Sequence, residues 1–376
     1  MPTTERQHLL GTTVEQFSAF LAEHQEPAYR AKQVFDWVYR KGADSFEVMS
    51  NLSKPLRALL AEHWDIYTST ISRRWESSDG TVKLLLEWSD GANSECVLIP
   101  EEDRNTACIS SQVGCPVGCH FCASGLSGLE RQLTAGQIVE QAMRVRQLCE
   151  RPGEAEAKPR RGPSRAAAPN HDGRLSNIVF MGLGEPLANY ANVVTAIRLI
   201  NSAEGMNIGA RKITVSTVGL PSQIMRLANE NLQINLAISL HAPNDELRRQ
   251  IIPWAEKISI DEIVEAARYY FEKTGRELTI EYILLGNLND QPEHAYELVR
   301  LARKMRCNVN LIRYNPVPGL PFERPTSFAA HKFVERLRER GVNAHVRKSR
   351  GADIDAACGQ LRRASRAGKS TADARR

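Results

Sequence analysis

Three cysteines close together in the chain are its strongest chemical signal. Cys115, Cys119 and Cys122 fall within eight residues, in a loop that also carries glycine and proline. Three thiolates at this spacing can converge on one metal centre, and soft sulfur ligands favour zinc or an iron–sulfur cluster. Structural zinc normally takes four protein ligands, for which His120 is the nearest candidate, whereas a cluster held by three cysteines keeps one iron open. The spacing favours a catalytic cluster, with structural zinc and unliganded cysteines as alternatives.

Six short apolar runs after residue 100 alternate with amphipathic stretches and would position these cysteines. The runs are TACISS (106–111), SNIVFMG (176–182), KITVST (212–217), INLAISL (234–240), ELTIEYILL (277–285) and NVNLIRY (308–314). This alternation predicts an α/β fold with a parallel sheet covered by helices. The pattern leaves an open sheet and a partial barrel as alternatives. In both, site residues gather at the carboxyl ends of the strands, where the cysteine loop begins.

Composition shifts divide the chain into candidate units. Residues 1–65 show helical spacing of apolar residues, and 66–100 resemble a small β meander broken by turn signals. The strand and helix repeats occupy 101–350, with a Pro-, Ala- and Arg-rich flexible insertion loop predicted at 150–174. Residues 351–376 form a C-terminal segment that ends in a basic tail. Asn189 and Asp290 are predicted to cap two of the helices in the repeats.

Bulk composition is that of a globular protein that acts in the cytoplasm. The 376 residues are 42% hydrophobic and 25% charged, with a net charge of +5. No apolar stretch approaches the length of a membrane helix, and no secretory signal pattern is recognised, so we expect a cytoplasmic protein without a membrane. Cysteines there stay reduced, so clustered ones indicate metal binding or catalysis. The mild positive charge permits nucleic-acid binding without establishing it.

A second motif, Met181-Gly-Leu-Gly-Glu-Pro186, follows the second apolar run. Together with the cysteine loop it resembles the radical S-adenosylmethionine (SAM) superfamily, which predicts a partial (β/α)6 barrel here. The resemblance implies one [4Fe–4S] cluster on the three cysteines, whose open iron chelates SAM for cleavage to a 5′-deoxyadenosyl radical. It also implies SAM contacts from residues at successive strand ends, namely Gly184, Glu185, Ser216, Ser239, Leu240, His241 and Asn315.

Two further cysteines narrow the resemblance to one branch. Cys108 lies seven residues before the cluster motif, and Cys358 lies in the sequence GADIDAACGQL. With Tyr314-Asn-Pro-Val-Pro-Gly319, these segments closely resemble the radical SAM adenine methyltransferases of rRNA and tRNA, from about residue 5 to 361. Each cysteine taken alone is as well explained as a buried small hydrophobe.

The branch resemblance implies a mechanism that uses both cysteines and two SAM molecules per turnover. Cys358 takes a methyl group from the first SAM, and the radical from the second removes a hydrogen from that methyl group. The methylene radical adds to carbon 2 of adenine, Glu95 accepts the ring proton, and Cys108 attacks Cys358 to release the RNA. An ordinary exposed strand carboxylate is the alternative for Glu95. The implied partners are 23S rRNA, tRNA next to its anticodon, and a flavodoxin- or ferredoxin-type electron donor, and we expect a monomer.

The N-terminal helical region is predicted to recognise folded RNA, since basic residues are scattered through it around two aromatic residues. Those aromatics, Trp37 and Tyr39, are equally explained as core residues at helical spacing. Three rival functions stay open: methylation of carbon 8 of the same rRNA adenine, which confers antibiotic resistance; a radical SAM enzyme for a small molecule or peptide; and a non-catalytic zinc RNA-binding protein. The basic residues are Lys32, Arg40, Lys41, Lys54 and Arg57.

Overall fold

The structure is a computed structural model and describes residues 6–150 and 173–362. The predicted insertion loop lies outside this described part apart from its first and last residues, and so does the basic tail after residue 362. Among the described helices, none combines the length and the apolar character that crossing a bilayer would demand.

Helices cover the sheet and form the N-terminal unit. Their bounds are α1 (Val14–Glu23), α2 (Tyr29–Tyr39), α3 (Lys54–His63), α4 (Ala135–Glu150), α5 (Tyr190–Asn201), α6 (Pro221–Ala228), α7 (Asp245–Ile251), α8 (Ile260–Thr274), α9 (Pro292–Ala302) and α10 (Ser327–Arg338).

Strands form one large sheet and two small pairs. Their bounds are β1 (Gln7–His8), β2 (Trp64–Asp65), β3 (Ser69–Glu76), β4 (Val82–Trp88), β5 (Asn93–Pro100), β6 (Asn105–Cys108), β7 (Gln112–Gly114), β8 (Leu129–Gln132), β9 (Asn177–Phe180), β10 (Ile213–Thr217), β11 (Asn235–Ser239), β12 (Leu278–Leu284), β13 (Cys307–Arg313) and β14 (Ala344–Arg347).

The large sheet has the order β14-β13-β12-β11-β10-β9-β6-β5-β4-β3. Neighbours from β6 through β9 to β14 pair in parallel, and β5, β4 and β3 continue the sheet in antiparallel fashion. Each of the six predicted apolar runs coincides with one of the parallel strands, so the α/β prediction is confirmed. The sequence pattern missed the seventh parallel strand, β14, because its four residues include exposed and half-buried polar side chains.

The sheet is strongly curved. Arg347 on β14 and Met181, which follows β9, are separated by four intervening strands, yet Arg347 Nη1 lies 3.7 Å from Met181 Sδ. In a flat sheet, five strand spacings of about 4.8 Å would hold them more than about 20 Å apart. The edge strands β14 and β3 do not pair with each other, so the curved sheet is an open barrel.

Helix ends follow local capping chemistry, with two corrections to the sequence prediction. α8 begins with a capping box between Ser259 and Glu262. Asn189 occupies the predicted N-cap position of α5, but its side chain makes no capping bond to the helix backbone; its amide instead donates to the carbonyls of Ser111 and Leu133. Asp290 is also not a cap, because Gln291 occupies that position at the start of α9. Neither side chain caps its helix, because an asparagine or aspartate near a helix start has other partners available in a folded loop.

The segment that leads from the N-terminal helices into β3 is bonded to α4 through a buried carboxylate. Glu140 on α4 is fully buried and accepts from the backbone N–H of Thr68 at 2.8 Å and of Ser69 at 3.0 Å. Trp37 packs on the same core and lies under the Lys41 ammonium at 4.1 Å, while Tyr39 is buried. The two aromatics therefore belong to the core of this unit. The division at residues 65, 100 and 350 stays a prediction.

Candidate active site

The cysteine loop, residues 115–125, begins directly after β7 and is called the cluster loop below. Its backbone is fixed by bonds from Cys115 N–H to the Gly128 carbonyl at 3.1 Å and from Cys122 N–H to the Cys119 carbonyl at 3.1 Å. These bonds curl the loop, and all three cysteines line one cavity at the carboxyl ends of the parallel strands. The structure therefore brings together the three thiols that the sequence predicted.

Apolar packing and one histidine orient this loop. Val117 and Phe121 are buried against residues of α7 and the turn that follows it. His120 is exposed, its N–H donates to the Ile251 carbonyl, and its Nδ1 lies 2.9 Å from the Gln250 carbonyl oxygen. His120 thus points away from the thiols, which removes the structural basis for a fourth ligand from this residue.

The arrangement and burial of the three thiols bear on which metal group they would hold. Within residues 6–150 and 173–362, no three or more His, Cys, Asp or Glu side chains are arranged to hold a single metal ion. Burial raises the pKa of Cys115 to about 12, and it also raises the pKa values of Cys119 and Cys122. Such buried sulfurs ionise readily only against cationic partners. Three thiols spread around a cavity fit an iron–sulfur cluster better than one zinc ion.

A buried cation that sequence reasoning missed lies near these sulfurs. Arg248 on α7 is 1% exposed, and its guanidinium donates to the Val218 carbonyl at 2.6 Å and the Ile258 carbonyl at 3.2 Å. Burial lowers the pKa of Arg248 to about 10, while the Cys119 thiolate opposes that shift. Its side chain forms no carboxylate ion pair in the described part of the chain, so its charge is available to balance the thiolates. An arginine in an amphipathic helix gave no signal of this role.

The Gly-Glu motif lies across the cavity from the thiols. Gly184 has φ +103°, and a Cβ there would lie 2.6 Å from the Gln112 Cβ, so the turn requires glycine. Glu185 is buried and accepts from the backbone N–H of Val218 at 2.7 Å and of Leu187 at 2.9 Å. Burial raises the pKa of Glu185 to about 7. A carboxylate held so firmly at a cavity wall can accept from a ligand ammonium group.

Ser216, Ser239 and His241 line the same cavity at the ends of β10 and β11. The two serine hydroxyls lie 3.1 Å apart. Nδ1 of His241 accepts from the Ile283 N–H at 3.0 Å, and burial lowers the pKa of His241 to about 3. The ring is therefore neutral, with its proton on Nε2. This wall offers neutral donors and acceptors suited to a nucleoside or an amino acid moiety.

Two predicted SAM contacts are not brought to this cavity. Leu240 is buried in the main core and does not line it. Asn315 instead lines a second, adjoining cavity, where its Nδ2 donates to the Cys358 carbonyl at 3.1 Å and its Oδ1 accepts from the Ser349 hydroxyl at 2.7 Å. In this structure Asn315 positions the backbone of Cys358.

Cys358 lies at the junction of the two cavities. It lines the first with the cluster cysteines and the second with Cys108. Cys108 is 7% exposed, and its pKa is raised to about 12, first by burial and then by the Cys358 thiolate. It shares a small apolar cluster with Ala356 and Leu361, and both cysteines are free thiols. One sulfur can therefore face either the cluster side or its partner cysteine.

The segment that carries Cys358, residues 351–362, is called the carrier segment. It is attached to the cluster loop by bonds from Ala123 N–H to the Gly359 carbonyl at 2.8 Å and from the Ser124 hydroxyl to the Leu361 carbonyl at 2.8 Å. The Ser124 hydroxyl also contacts the Cys122 thiol. The turn between β3 and β4 holds the other end, because Asp353 accepts from residues 77 and 78. The small β region thus serves as a docking site for this segment.

Glu95 lies on β5, on the same strand face as Val97, which is the register partner of Cys108. Its carboxylate pairs with Lys83 Nζ at 3.1 Å and accepts from the Arg362 N–H at 2.9 Å. Burial raises the pKa of Glu95, and Lys83 opposes that shift. Glu95 is 4% exposed, so the reading as an ordinary exposed carboxylate does not fit, although it lines neither cavity.

Arg347 is the second functional candidate that the sequence did not reveal. It lines both cavities, and its Nη1 lies 3.4 Å from Glu281 Oε2. The Cys358 thiolate raises the pKa of Arg347 more than any other neighbour does. The Arg347 guanidinium therefore lies near the sulfur of Cys358, where the two cavities meet. Arg347 is a basic residue at the end of the short strand β14. The sequence pattern did not predict this strand, so it could not place Arg347 at a strand end.

Comparison with known proteins agrees with this geometry. Residues 7–66 match the family described as the ribosomal RNA large subunit methyltransferase N-terminal domain, and residues 165–299 match the radical SAM superfamily. A probable dual-specificity RNA methyltransferase RlmN of Rhodopirellula baltica is 45% identical over 95% of this chain and 91% of that protein. Its counterpart in Staphylococcus carnosus is 42% identical over 96% of this chain and 94% of that protein.

A solved structure gives the same result at the level of the fold. The crystal structure of a radical SAM methyltransferase from Sphaerobacter thermophilus matches with a TM-score of 0.87 and 44% identity, over 94% of this chain and 99% of that one. The radical SAM superfamily is defined by a [4Fe–4S] cluster and SAM, which the three thiols and the Gly-Glu wall fit. The resemblance found in the sequence is confirmed: this chain belongs to the RlmN family of radical SAM RNA methyltransferases.

Proposed function

We propose that this chain methylates carbon 2 of an adenine in 23S rRNA and in tRNA, next to the anticodon, with Cys358 as methyl carrier. The observation that supports this most directly is the position of Cys358, between a cavity lined by three cluster thiols and a cavity lined by Cys108. An ordinary SAM methyltransferase needs neither a carrier thiol nor a second cysteine behind it. An RNA substrate is supported by the relatives, which are named dual-specificity RNA methyltransferases, and by the ribosomal RNA methyltransferase family that residues 7–66 match.

The residues of the first cavity would hold SAM and the cluster. Cys115, Cys119 and Cys122 would hold the [4Fe–4S] group, and Glu185 would accept from the SAM ammonium group. When bound, this cluster with SAM supplies the 5′-deoxyadenosyl radical that removes one hydrogen from the methyl group. The buried, neutral wall excludes water from that chemistry. One SAM donates the methyl group and a second is cleaved, so two are consumed per turnover.

The residues around Cys358 carry the methyl group and release the product. The Cys358 sulfur displaces the methyl group from the sulfonium of SAM and becomes a thioether. After the methylene carbon has bonded to adenine, Glu95 accepts the ring proton, and one electron must also leave the adduct, for which the bound cluster would be the acceptor. Cys108 then attacks the sulfur of Cys358, so that the carbon–sulfur bond breaks and a disulfide forms. The released carbon takes up a proton and becomes the methyl group, and a reductant must restore both thiols.

Glu95 requires a change in its surroundings for this role. Its carboxylate is covered by Lys83 and by the backbone of Arg362, at the end of the carrier segment. A base must come within hydrogen-bond reach of the proton that it removes. We propose that the end of the carrier segment leaves Glu95 when RNA binds. The burial that raises its pKa makes the carboxylate a better proton acceptor than an exposed one.

The remaining partners are proposed on the same basis. A flavodoxin- or ferredoxin-type donor supplies electrons, the N-terminal unit 1–65 recognises folded RNA, and the protein acts as a cytoplasmic monomer. Methylation of carbon 8 is the second candidate, because that activity would use the same two cysteines. The position of the new methyl group in product RNA distinguishes the two.

The test is an anaerobic assay of the reconstituted protein with reductant, SAM carrying a labelled methyl group, and 23S rRNA or tRNA. Digested nucleosides are separated against 2-methyl- and 8-methyladenosine standards. We expect labelled 2-methyladenosine, lost in Cys358→Ala and Cys108→Ala. Cys307→Ala is the matched control. Cys307 lies at the amino end of β13, whereas the first cavity lies at the carboxyl ends of the strands, and Cys307 lines neither cavity. Labelled 8-methyladenosine, or full activity in Cys358→Ala, would contradict the proposal.

A further inference from the structure

The second cavity lies on the far side of Cys358 from the cluster thiols. It encloses about 1430 Å³ including its opening to solvent, and Cys108 and Cys358 both line it. The first cavity encloses about 860 Å³ and is lined by the thiols and the Gly-Glu motif. Because SAM and the cluster take the first cavity, an adenine that meets the Cys358 carbon while Cys108 reaches the sulfur must come from the second.

The rim of the second cavity is basic. Arg104, Lys348 and Arg350 lie along it, with Glu101 as the single acidic residue among the lining side chains. Arg104 is already paired with Glu101 and approaches Asp103 at 3.8 Å. Within residues 6–150 and 173–362, neither Lys348 nor Arg350 pairs with a carboxylate. Two cations at this opening therefore have no internal counter-charge in the part of the chain that the structure describes.

Arg350 carries a guanidinium donor that the described residues leave without a partner. Its side chain is half-buried, yet its Nε is shielded from solvent and has no hydrogen-bond partner among the described residues. A buried donor without a partner costs about 1–3 kcal/mol, so such groups are retained where a ligand completes them. A planar guanidinium with free N–H groups matches the oxygens of a phosphate.

Further cations extend the patch beyond the rim. Arg324 is exposed, and its Nη2 lies 3.4 Å from the Ser349 hydroxyl, between the two rim cations in sequence. The pKa of Arg324 is lowered, first by burial of its guanidinium and then by the neighbouring Arg313 charge. Like charges held this close repel each other, and an anionic chain laid across them relieves that repulsion.

RNA has the chemistry that this cavity and its rim would recognise. A base undergoing chemistry must leave its stack and enter a pocket, and its flanking phosphates then lie at the pocket opening. Phosphate contacts fix the position of a nucleic acid without reading its sequence. A cavity that holds both redox cysteines, with unpaired cations at its mouth, provides both functions.

We propose that the second cavity receives the target adenine and that Lys348 and Arg350 bind the RNA phosphates that flank it. This inference rests on the proposed function, since it takes RNA as the substrate and Cys358 as the methyl carrier. It assigns positions to the substrate that neither the family match nor the cysteine motifs define. Lys348 places a flexible ammonium group at the surface. Arg350 places a planar guanidinium group, with its several N–H donors, at the wall of the second cavity.

The test measures binding of an unmodified, fluorescently labelled tRNA transcript by anisotropy, with the reconstituted full chain under anaerobic conditions. Lys348→Gln and Arg350→Gln are compared with Lys273→Gln, an exposed lysine at the end of α8 and remote from the cavity. We expect each rim variant to bind about five- to tenfold more weakly at low salt, and the control to bind like the wild type. Lys348 is exposed, so its substitution leaves the fold intact even if the Arg350 variant is destabilised.

A salt series separates phosphate contacts from general charge effects. Each lost contact should reduce the slope of log affinity against log salt by about 0.7 on single-stranded RNA, or about 0.9 on a duplex. The inference is overturned if the rim variants bind tRNA like the wild type, or if Lys273→Gln weakens binding equally. It is also overturned if the rim variants slow electron uptake from a flavodoxin-type donor while RNA affinity is unchanged, since the patch would then be a donor docking site.

The two levels of proposal fail separately. If the wild type produces no methyladenosine but the rim variants still lose tRNA affinity with a shallower slope, the reaction assigned to the site is wrong and the phosphate contacts stand. If the wild type produces 2-methyladenosine and the rim variants bind normally, the reaction stands and the position assigned to the RNA is wrong.

Discussion

The cluster loop and the carrier segment are both irregular stretches at one cavity, but different kinds of bonds hold them. The cluster loop is fixed by backbone hydrogen bonds and by buried Val117 and Phe121. The carrier segment is fixed largely by side chains that reach its backbone, from Ser124, Asn315 and Lys83. Only a small apolar cluster around Cys108 packs against it.

This difference matches what the two regions must do in the proposed reaction. A cluster has to stay in one place while it receives electrons, and backbone bonds backed by apolar packing give that rigidity. A carrier sulfur has to meet SAM, then adenine, then Cys108, so its segment must exchange one set of contacts for another. Side-chain hydrogen bonds of about 0.5–1.5 kcal/mol each can be broken in turn without unfolding the sheet.

The largest expected effect separates the two regions by their metal content. Cys119→Ala removes one of three ligands from a loop that has no nearby replacement, so we expect an essentially complete loss of iron after reconstitution. Cys358→Ala should keep its iron and the brown visible absorption, because the carrier cysteine does not hold the cluster. Iron and sulfide per chain and the visible spectrum check both variants.

Loss of iron in Cys358→Ala would contradict the independence of the cluster loop from the carrier segment. It would mean that the carrier segment helps to build the cluster site, through the bonds that Ser124 and Ala123 make to it. Retention of iron in Cys119→Ala would instead show that the three thiols do not hold the metal.

The same contrast explains how much the sequence predicted. The cluster loop, the strands before it and the Gly-Glu turn are local patterns in which spacing encodes geometry, and the structure brings those residues together. Glu95, Cys108 and Cys358 are far apart in sequence, and only a resemblance to a known family linked them. Their neighbourhood depends on the curvature of the sheet, which no local pattern of apolar residues reveals.

Arg347 and Arg248 escaped prediction for a related reason. Each is one basic residue among 49 in the chain, and its importance comes from partners on other strands and helices. The position of Arg347 at both cavities depends on the curvature of the sheet, which brings β14 next to Met181. For Asn315 the family position predicts a SAM contact, and the fold adds a second role that the sequence did not suggest, a hydrogen bond from its amide to the Cys358 carbonyl.

A smaller effect is expected from Gly351→Ala, which disturbs the start of the carrier segment alone. Gly351 has φ +63°, and a Cβ there would lie 2.8 Å from Thr81 Cγ2 and 2.9 Å from Ala356 Cβ. The left-handed backbone costs a non-glycine residue about 1–2 kcal/mol, and overlap with fixed neighbours adds about 1–3 kcal/mol. We expect about a tenfold decrease or more in labelled methyl on Cys358 after one exposure to SAM, measured by peptide mass spectrometry, with iron content unchanged.

Gly42→Ala is the matched control for backbone strain. Gly42 has φ +68°, but a Cβ there would meet no atom within 4 Å, and it follows α2 in the N-terminal unit. Its methylation of Cys358 should equal that of the wild type. Equal losses in both variants would show that strain destabilises the whole chain, and the carrier segment would then not be a separately docked element.

The smallest effect is a dependence of carrier docking on pH. Hydrogen bonds from the Ser77 hydroxyl and the Ser78 N–H lower the pKa of Asp353 below its ordinary value of 3.8. Asp79 contributes in the same direction: burial would raise its pKa, but hydrogen bonds that include the Gly351 N–H outweigh burial and lower it. A depressed pKa in the docked state means that docking is fully supported above 3.8 and weakens as the pH falls through the lower, docked values.

Hydrogen–deuterium exchange, normalised to an unstructured peptide at each pH, measures this docking through the amides of residues 352–358. We expect constant protection from pH 8 to about 5 and a fall below about 4. Asp353→Asn should lower protection at neutral pH and flatten the fall, leaving the part that Asp79 contributes. If the variant and the wild type lose protection identically while the cluster loop loses it too, acid unfolds both regions as one unit. The carrier segment would then be as firmly built in as the cluster loop, and the exchange of contacts proposed for Cys358 would require a larger opening of the sheet.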